Sequence, residues 1–364
     1  MSIGIAIQGL SKSFGDAHAV DDLSLEIAEG EMVVLLGPSG CGKTTTMRCI
    51  AGLERPDAGQ ISIGGRPVFD AATGLNVPVN QRHVGMVFQS YAIWPHLTVF
   101  ENVAFPLQMA KVNRADIVKR VNDMLSTVGL SGLSERGASY LSGGQMQRVA
   151  LARSLVMQPA VLLFDEPLSN LDARLRDHLR IELRELQTEF KITSVYVTHD
   201  QREALALADR IVVMDAGKVL QVGTPIDLYQ NPRTRRIAEF LGYTNIFLVQ
   251  STTPAGDHVV ALLPDGEKLS VTRGGSSGSE LAVCVRPEDV LIRRGASDGA
   301  ASTNALVGQV TLASFMGTHM QYRVRLRSGA VWEAISPTIS TDILRGTEVT
   351  IEIRPDCVLL LPDT

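Results

Sequence analysis

A glycine-rich segment at residues 37–44, Gly-Pro-Ser-Gly-Cys-Gly-Lys-Thr, has the composition to bind phosphate. It fits the pattern G-x-x-x-x-G-K-S/T and lies between an apolar run and a helical stretch. In this pattern, backbone N–H groups converge on a phosphate, the lysine extends to the β and γ phosphates, and the threonine hydroxyl binds Mg²⁺. A glycine-rich turn without a ligand is the alternative. The expected ATP-binding residues are Gly37, Pro38, Ser39, Gly40, Cys41, Gly42, Lys43, Thr44 and Thr45, with Lys43 also acting in catalysis.

Two carboxylates follow the apolar run at residues 161–164. The end of such a strand points toward the ligand crevice of an α/β sheet. We therefore expect Asp165 to bind Mg²⁺, directly or through water, together with Thr44, and Glu166 to act as the general base on the attacking water or to orient it. Two acids at a strand end are also common as a merely solvated terminus, and the phosphate-binding segment is what favours the catalytic interpretation.

A third motif, Leu141-Ser142-Gly143-Gly144-Gln145, precedes a helical stretch. A serine and glycines at a helix N-terminus can bind phosphate through backbone donors and the helix dipole. The same serine could simply be an N-cap. The segment resembles the signature sequence of ABC ATPases.

This resemblance implies a head-to-tail dimer in which the signature segment of one copy, Ser142 to Gln145, closes over the ATP held by a second copy. It also implies roles for four single residues. Gln89 resembles the glutamine that senses the γ-phosphate and binds the metal, and His199 resembles the switch histidine; both are assigned to catalysis. Asp172 resembles the aspartate of the D-loop and Phe14 the aromatic that stacks on adenine, so both are assigned to nucleotide binding. Taken singly, each could be an ordinary surface, structural or core residue.

The stretch after Gln89 contains two aromatic residues, Tyr91 and Trp94, that we expect to be exposed. In ABC importers the corresponding region receives a short helix from the membrane subunit, and aromatic anchors suit such an interface. The resemblance thus implies transmembrane permease subunits as partners, contacted near these two residues, and a periplasmic or surface substrate-binding protein as an indirect partner. The alternative is that Trp94 fills local core.

The elements that position these residues follow from apolar periodicity. Short apolar runs precede the phosphate-binding segment, Gln89, Asp165 and His199, and a fifth run lies at residues 211–214. Such runs, each followed by helical patterning, are typical of a buried parallel sheet. An amphipathic helix is predicted over residues 172–191. Residues 97–158 contain two helical stretches, at about 113–128 and 143–157, and are interpreted as a helical insertion.

Beyond residue 240 the pattern changes to strand-length runs, of which we expect six between residues 281 and 353. The predicted fold is an α/β P-loop ATPase domain with a helical insertion, residues 1–240, followed by a small all-β OB-like barrel domain, residues 241–364. The second domain resembles the C-terminal barrel of certain bacterial importers through Val283 to Val285 and the following Arg286-Pro287-Glu288. It lacks the interleaved aromatic and basic residues of an RNA-binding barrel, so we expect it to regulate or to support dimerisation.

Composition limits the class of partner. The net charge of −5 is spread along the chain, which argues against nucleic acid, and the cluster Arg233, Arg235, Arg236 is interpreted as a solvated helix face. Apolar runs are too short to span a bilayer, and no secretory signal is visible, so a cytoplasmic location is expected. The resemblance narrows this to the cytoplasmic face of the inner (plasma) membrane, as a peripheral subunit. The four cysteines have no paired spacing, which is typical of reduced thiols.

The favoured hypothesis is an ATPase that energises import, and the wording of residues 89–106 resembles the spermidine/putrescine and ferric-iron branch. A sugar-type importer ATPase shares most of these motifs and stays open. Two further classes of protein also stay open, namely a non-transport ABC ATPase and a regulatory ligand-binding protein. The intact Asp165, Glu166 and His199 argue against a protein that only senses ATP.

Overall fold

A computed structural model describes residues 3–274, 280–295 and 304–363. The chain divides into two compact units between Leu228 and Tyr229. The elements of the first unit are β1 (Ile3–Phe14), β2 (Ala17–Ala28), β3 (Met32–Leu36), α1 (Lys43–Ala51), β4 (Ala58–Ile63), β5 (Arg66–Asp70), β6 (Leu75–Asn76), β7 (Val84–Val87), α2 (Val99–Met109), α3 (Arg114–Thr127), α4 (Gly143–Leu155), β8 (Val161–Asp165), α5 (Ala173–Phe190), β9 (Thr193–Thr198), α6 (Gln201–Leu207), β10 (Arg210–Asp215) and β11 (Lys218–Gly223). Helix α7 (Pro225–Gln230) contains the division.

A mostly parallel six-stranded sheet positions the phosphate-binding segment, Gln89, Asp165, Glu166 and His199, each of which lies at or just beyond the end of one of its strands. Its strand order is β11-β10-β3-β9-β8-β7, and all five apolar runs predicted to be strands belong to it. Every residue of β3 and β9 is buried, as expected of strands covered on both faces. Because β7, β8, β9 and β3 run parallel, their carboxyl ends lie along one edge of the sheet.

A second, antiparallel sheet with the order β2-β1-β4-β5-β6 was not assigned from the sequence. Its longest pair, β1 and β2, contains four register shifts, one of them between Ile7 and Leu10, which interrupt the alternation of apolar and polar residues. Ile5, Ile7 and Leu10 are nevertheless fully buried and share one core cluster with the parallel sheet.

The helical insertion is confirmed, with three helices between β7 and β8 rather than the two predicted. The additional helix, α2, has Pro106 in its interior. Proline lacks a backbone N–H and disfavours a helix at such a position, so the sequence pattern did not predict this helix. A capping box between Thr98 and Glu101 starts it, and its apolar face packs with α3 and α4. The ion pair between Arg148 and Glu182, 2.6 Å long, joins α4 to α5.

Arg82 secures the far end of helix α1. Its guanidinium is buried and donates to the carbonyl oxygens of Cys49 and Ile50, at 2.8 and 2.9 Å, in the last turn of the helix. It also donates to the Val77 carbonyl and the Asn76 side chain. Burial lowers the pKa of Arg82 from its ordinary value. A cation at a helix C-terminus interacts favourably with the helix dipole.

The second unit is built of strands, and all six predicted strands are present. Its elements are α8 (Arg235–Phe240), β12 (Asn245–Leu248), β13 (Ser251–Ala255), β14 (His258–Leu262), β15 (Lys268–Val271), β16 (Arg273–Gly274), β17 (Leu281–Val285), β18 (Val290–Arg294), β19 (Asn304–Phe315), β20 (Met320–Leu326), β21 (Val331–Ser336), β22 (Glu348–Ile353) and β23 (Leu359–Pro362). The sheets have the orders β12-β17-β23-β16, β13-β14-β15 and β18-β22-β19-β20-β21. Pairing is antiparallel except between β16 and β23. Trp332 and Tyr322 lie in the common core.

None of the helices in the described parts of the chain is both long and apolar enough to cross a membrane.

Candidate active site

The segment after β3 wraps the N-terminus of helix α1, which begins at Lys43. A Cβ atom at Gly37 would lie 2.2 Å from the carbonyl oxygen of Met214, and one at Gly42 would lie 2.1 Å from that of Ala19. Gly42 also has a left-handed φ of 103°. Only glycine fits these two positions, because the neighbouring contacts are backbone atoms that cannot move aside. The spacing of the glycines therefore follows from close packing as well as from the turn.

Lys43 lies inside this loop and is buried. Its ammonium donates to the carbonyl oxygens of Gly37 and Pro38, both at 2.8 Å, and lies 3.6 Å from the sulfur of Cys41. Pro38, Ser39 and Gly40 are exposed at the tip of the loop, and Thr45 is partly buried in the first turn of α1. The loop thus concentrates a lysine ammonium and a helix N-terminus in one place, which is an anion-binding arrangement.

Thr44 and Asp165 meet across the loop and the end of β8. The Thr44 hydroxyl donates to a carboxylate oxygen of Asp165 at 3.2 Å. Burial raises the pKa of Asp165, while the Thr44 hydrogen bond and nearby Arg48 lower it and Glu166 raises it. A hydroxyl and a carboxylate are hard oxygen donors, the kind that Mg²⁺ selects, and a few protein ligands are typical when phosphates supply others. The two residues therefore fit a magnesium site.

Glu166 and His199 form a pair at the same edge of the sheet. The His199 Nδ1 lies 3.2 Å from a carboxylate oxygen of Glu166, and each residue directly follows a strand of the parallel sheet. The backbone N–H of Glu166 donates to the carbonyl of Val197, and its φ of 46° is left-handed. Such backbone geometry in a residue other than glycine is found disproportionately at functional sites. A carboxylate can accept a proton in general base catalysis, and the His199 imidazole lies within contact distance of this one.

Gln89 follows β7, the neighbour of β8, and is exposed. Its backbone carbonyl accepts a hydrogen bond from the Asn170 side chain at 2.9 Å. Sequence reasoning did not select Asn170, because an asparagine in a loop carries no signal of its own. The bond links the segment after Glu166 to the loop that contains Gln89.

The signature segment forms a separate group, in which the N-cap geometry considered as the alternative for Ser142 is present. The Ser142 hydroxyl accepts from the backbone N–H of Gln145 and the Gln145 side chain accepts from that of Ser142, a complete capping box for α4. A Cβ at Gly143 would lie 3.0 Å from Leu171, so this helix start packs against the loop that contains Asp172. Asp172 is itself the N-cap of α5. The two assigned motifs therefore form one surface.

Phe14 ends β1, where its ring is 50% exposed and lies 5.1 Å from the Lys12 ammonium. The alternative of a buried core residue is thereby excluded. The paired strand β2 carries Ala19, whose carbonyl contacts Gly42, so the hairpin lies against the phosphate-binding loop. An exposed aromatic beside that loop is available to stack on a flat ring.

The two aromatics after Gln89 differ in exposure. Tyr91, which we expected to be exposed, is buried: its φ of 60° accompanies a side chain that is only 6% exposed, and burial raises its pKa. Trp94 is partly exposed, its ring centroid lying 4.5 Å from that of Phe105 and 4.8 Å from the Arg153 guanidinium. Trp94, Phe105 and Arg153 line a cavity of about 410 Å³, the Trp94 cavity, together with Phe88 and Met157.

Comparison with known proteins identifies the family. Residues 20–169 match the model of the ABC transporter family, and residues 283–361 match the TOBE domain. The ferric-ion import ATP-binding protein FbpC of Agrobacterium fabrum is 44% identical over 90% of this chain and 89% of its own length. The chain belongs to the ABC transporter family of ATP-binding proteins. The resemblance seen in the motifs is confirmed, and the fold is that of an ABC ATPase followed by a TOBE domain.

Other relatives of this ABC ATPase are named for the import of different substrates. The spermidine/putrescine import ATP-binding protein PotA of Rubrobacter xylanophilus is 45% identical over 90% of this chain and 85% of its own. The trehalose/maltose import ATP-binding protein MalK of Thermococcus litoralis is 42% identical over 96% and 94%. Among solved structures, cbiO1 of Clostridium perfringens, part of the ABC transporter complex cbiONQ, matches with a TM-score of 0.58 and 28% identity. The match covers 66% of this chain and 94% of the cbiO1 chain.

Cys41 provides a chemical test of nucleotide binding in this ABC ATPase. Burial raises the pKa of its thiol, although Lys43 lowers it, so less thiolate is present at neutral pH and alkylation is expected to be slow there and to accelerate as pH rises. Bound ATP is expected to protect the thiol. The measurement is the alkylation rate of the Cys41 peptide by mass spectrometry at several pH values, with the Cys357 peptide as an internal reference. Equal rates with and without ATP would contradict the assignment of Cys41 to the nucleotide site.

Proposed function

We propose that this chain is the ATP-hydrolysing subunit of an ABC importer and that it acts at the cytoplasmic face of the inner membrane. The observation that carries the proposal is the convergence of Thr44 with Asp165, and of Glu166 with His199, at one edge of the parallel sheet beside the phosphate-binding loop. The names of the three import ATP-binding relatives support the transport part of the proposal.

Each residue has a distinct part in hydrolysis. Lys43 and the N-terminus of α1 bind the phosphates, and Phe14 stacks on adenine. Thr44, Asp165 and Gln89 would hold Mg²⁺, which would supply positive charge beside the phosphate oxygens. Glu166 accepts the proton of the attacking water, and His199 holds the Glu166 carboxylate in the required direction.

A second copy of the chain completes the site. Ser142, Gly143, Gly144 and Gln145 lie at a helix N-terminus, which favours an anionic ligand, and Asp172 lies on the same surface. In this proposal that surface closes over the ATP held by the other copy. Each chain then contributes half of two composite sites.

The permease is the proposed partner at the Trp94 cavity. An aromatic pair and a guanidinium around an open groove are typical anchors of an interface, since aromatic and arginine side chains dominate such energetics. The Tyr91 side chain is buried, and its backbone carbonyl accepts a hydrogen bond at 2.9 Å from Arg153, which lines the cavity. A substrate-binding protein acts through the permease only.

The proposed transported substrate is based on the substrates for which the relatives are named. Ferric iron, a polyamine or a related small solute is the proposal, in line with the relatives from Agrobacterium and Rubrobacter. The relative named for trehalose and maltose supports a sugar importer as the second candidate. Binding assays on the partner substrate-binding protein would separate these two candidates.

Replacing Ser142 by Arg tests the composite site. The variant should still bind ATP, since Lys43 and its loop are intact, but a bulky cation at the helix N-terminus should lower steady-state hydrolysis by about a hundredfold or more, the effect of losing a key stabilising group. Lys43→Ala should instead lose ATP binding itself. The measurements are ATP affinity by calorimetry and phosphate release.

Thr98→Arg is the matched control, because it removes the equivalent capping box from α2. It should keep hydrolysis near the unmodified rate while losing a similar amount of stability, about 1 kcal/mol. Normal hydrolysis by the Ser142→Arg variant would remove the signature segment from the catalytic site.

A further inference from the structure

Glu203 is a buried carboxylate that none of the nucleotide motifs includes. It lies in the first turn of α6 and is 3% exposed. One of its oxygens accepts hydrogen bonds from the Tyr196 hydroxyl at 2.9 Å and from the Thr198 hydroxyl at 2.7 Å. Burying a carboxylate is costly unless it is well hydrogen-bonded, so a residue of this kind needs an explanation beyond filling space.

The pKa of Glu203 reflects both its burial and its hydrogen bonds, and it is raised overall. Burial raises the pKa of Glu203, and the hydrogen bonds from Thr198 and Tyr196 lower it. Both donors lie on β9, whereas Glu203 lies on α6. The carboxylate therefore ties the end of the strand to the start of the helix that follows.

His199 lies inside this connection. The Thr198 hydroxyl donates to Glu203 and also accepts a hydrogen bond from the backbone N–H of Asp200 at 2.9 Å. The residues on both sides of His199 are thus attached to one hydroxyl, whose own direction is set by Glu203. With its backbone held in this way, His199 places its Nδ1 3.2 Å from the Glu166 carboxylate.

Asp200 adds a second attachment. Its carboxylate accepts from the backbone N–H groups of Arg202 and Glu203 and lies 3.5 Å from the Arg176 guanidinium on α5. This attachment fixes the beginning of α6. The Thr198 hydroxyl, in contrast, donates its hydrogen bond to Glu203, so Glu203 sets the orientation of this hydroxyl beside the peptide that precedes His199.

We propose that Glu203 is a positioning residue for ATP hydrolysis, acting through the Thr198 hydroxyl to hold His199 against Glu166. The inference rests on the proposed function, since it takes His199 as the partner of the catalytic carboxylate. Glu203 itself touches neither nucleotide nor water in this role. A displacement of about 1 Å in a catalytic group can lower a rate by about two orders of magnitude.

The test compares Glu203→Leu, Thr198→Val and Glu203→Gln in the full chain. Single-turnover hydrolysis with enzyme in excess over ATP keeps slow rates measurable. Glu203→Leu and Thr198→Val should each lower the rate about tenfold or more while leaving ATP affinity within about twofold. Glu203→Gln should retain most of the rate, because its amide oxygen can accept the same two bonds. The double variant Thr198→Val/Glu203→Leu should be no slower than the single ones.

The His199→Ala background separates positioning from general stability. If Glu203 acts through His199, adding Glu203→Leu to His199→Ala should cause no further loss. A further loss of the same factor would overturn the proposal, as would unchanged rates in both Glu203→Leu and Thr198→Val. Thermal unfolding of each variant is the folding control, and Thr198→Val, which preserves side-chain shape and the Tyr196 bond, carries the test if Glu203→Leu does not fold. Full activity of His199→Ala would instead contradict the proposed role of His199.

Discussion

Replacing Glu166 by Gln is expected to abolish steady-state ATP hydrolysis while leaving ATP binding intact. The amide cannot accept the proton of the attacking water, and loss of a general base lowers a rate by about 10²- to 10⁴-fold. Glutamine has the same shape and can keep the contact with His199, whose Nδ1 lies 3.2 Å from the carboxylate in the unmodified protein. ATP held without turnover should keep two copies closed on each other.

Two measurements check this expectation. Phosphate release should fall, and sedimentation should show an ATP-dependent dimer that persists in the variant. Glu135→Gln, which changes an exposed glutamate of the helical insertion, is the control and should behave as the unmodified protein. Undiminished hydrolysis by the Glu166→Gln variant would remove Glu166 from its role.

Replacing Trp94 by Ala is expected to stop transport without affecting the ATPase activity of the isolated chain. The substitution removes the ring that packs on Phe105 and under Arg153. Loss of such an anchor costs an interface about 2 kcal/mol or more, which is roughly a thirtyfold loss of affinity. The measurements are co-purification with the permease, substrate uptake, and phosphate release by the isolated chain.

Phe190→Ala is a suitable control, because it removes a partly exposed aromatic at the end of α5, away from the Trp94 cavity. It should leave assembly and uptake unchanged. Normal assembly and transport by the Trp94→Ala variant would contradict the proposed interface, and the non-transport alternative would then gain support.

Strands that are buried on both faces were predicted well from the sequence. Met32–Leu36 is apolar throughout and Thr193–Thr198 has Val195, Tyr196 and Val197 in succession, and since every residue of both strands is buried, these runs can be recognised without knowing the register. The antiparallel pair β1 and β2 was missed because its bulges shift which residues face the core, and such shifts depend on the partner strand. Helix α2 was missed because Pro106 opposes a local helix, whereas packing with α3 and α4 stabilises it.

The candidate site likewise contains residues that could be placed from the sequence and residues that could not. The positions of the glycine-rich loop and of Asp165 could be predicted, because close backbone contacts admit only glycine at Gly37 and Gly42 and an apolar strand leads directly to the acid. Asn170 and Glu203 could not, since their partners, Gln89 and Thr198, are chosen by tertiary contact. The exposure of Tyr91 was predicted wrongly, because a left-handed φ at this residue is not readable from residue type.

The acceptors of Arg82 imply a particular response to ionic strength. Its four hydrogen bonds go to neutral carbonyl and amide oxygens in a buried place, where dissolved ions screen little. The partly exposed ion pair of Arg148 with Glu182, which joins α4 to α5, is open to screening. Concentrated salt should thus weaken the contact between α4 and α5 before it weakens the contacts of Arg82 with helix α1, so that the signature segment and the phosphate-binding loop differ in their sensitivity to salt.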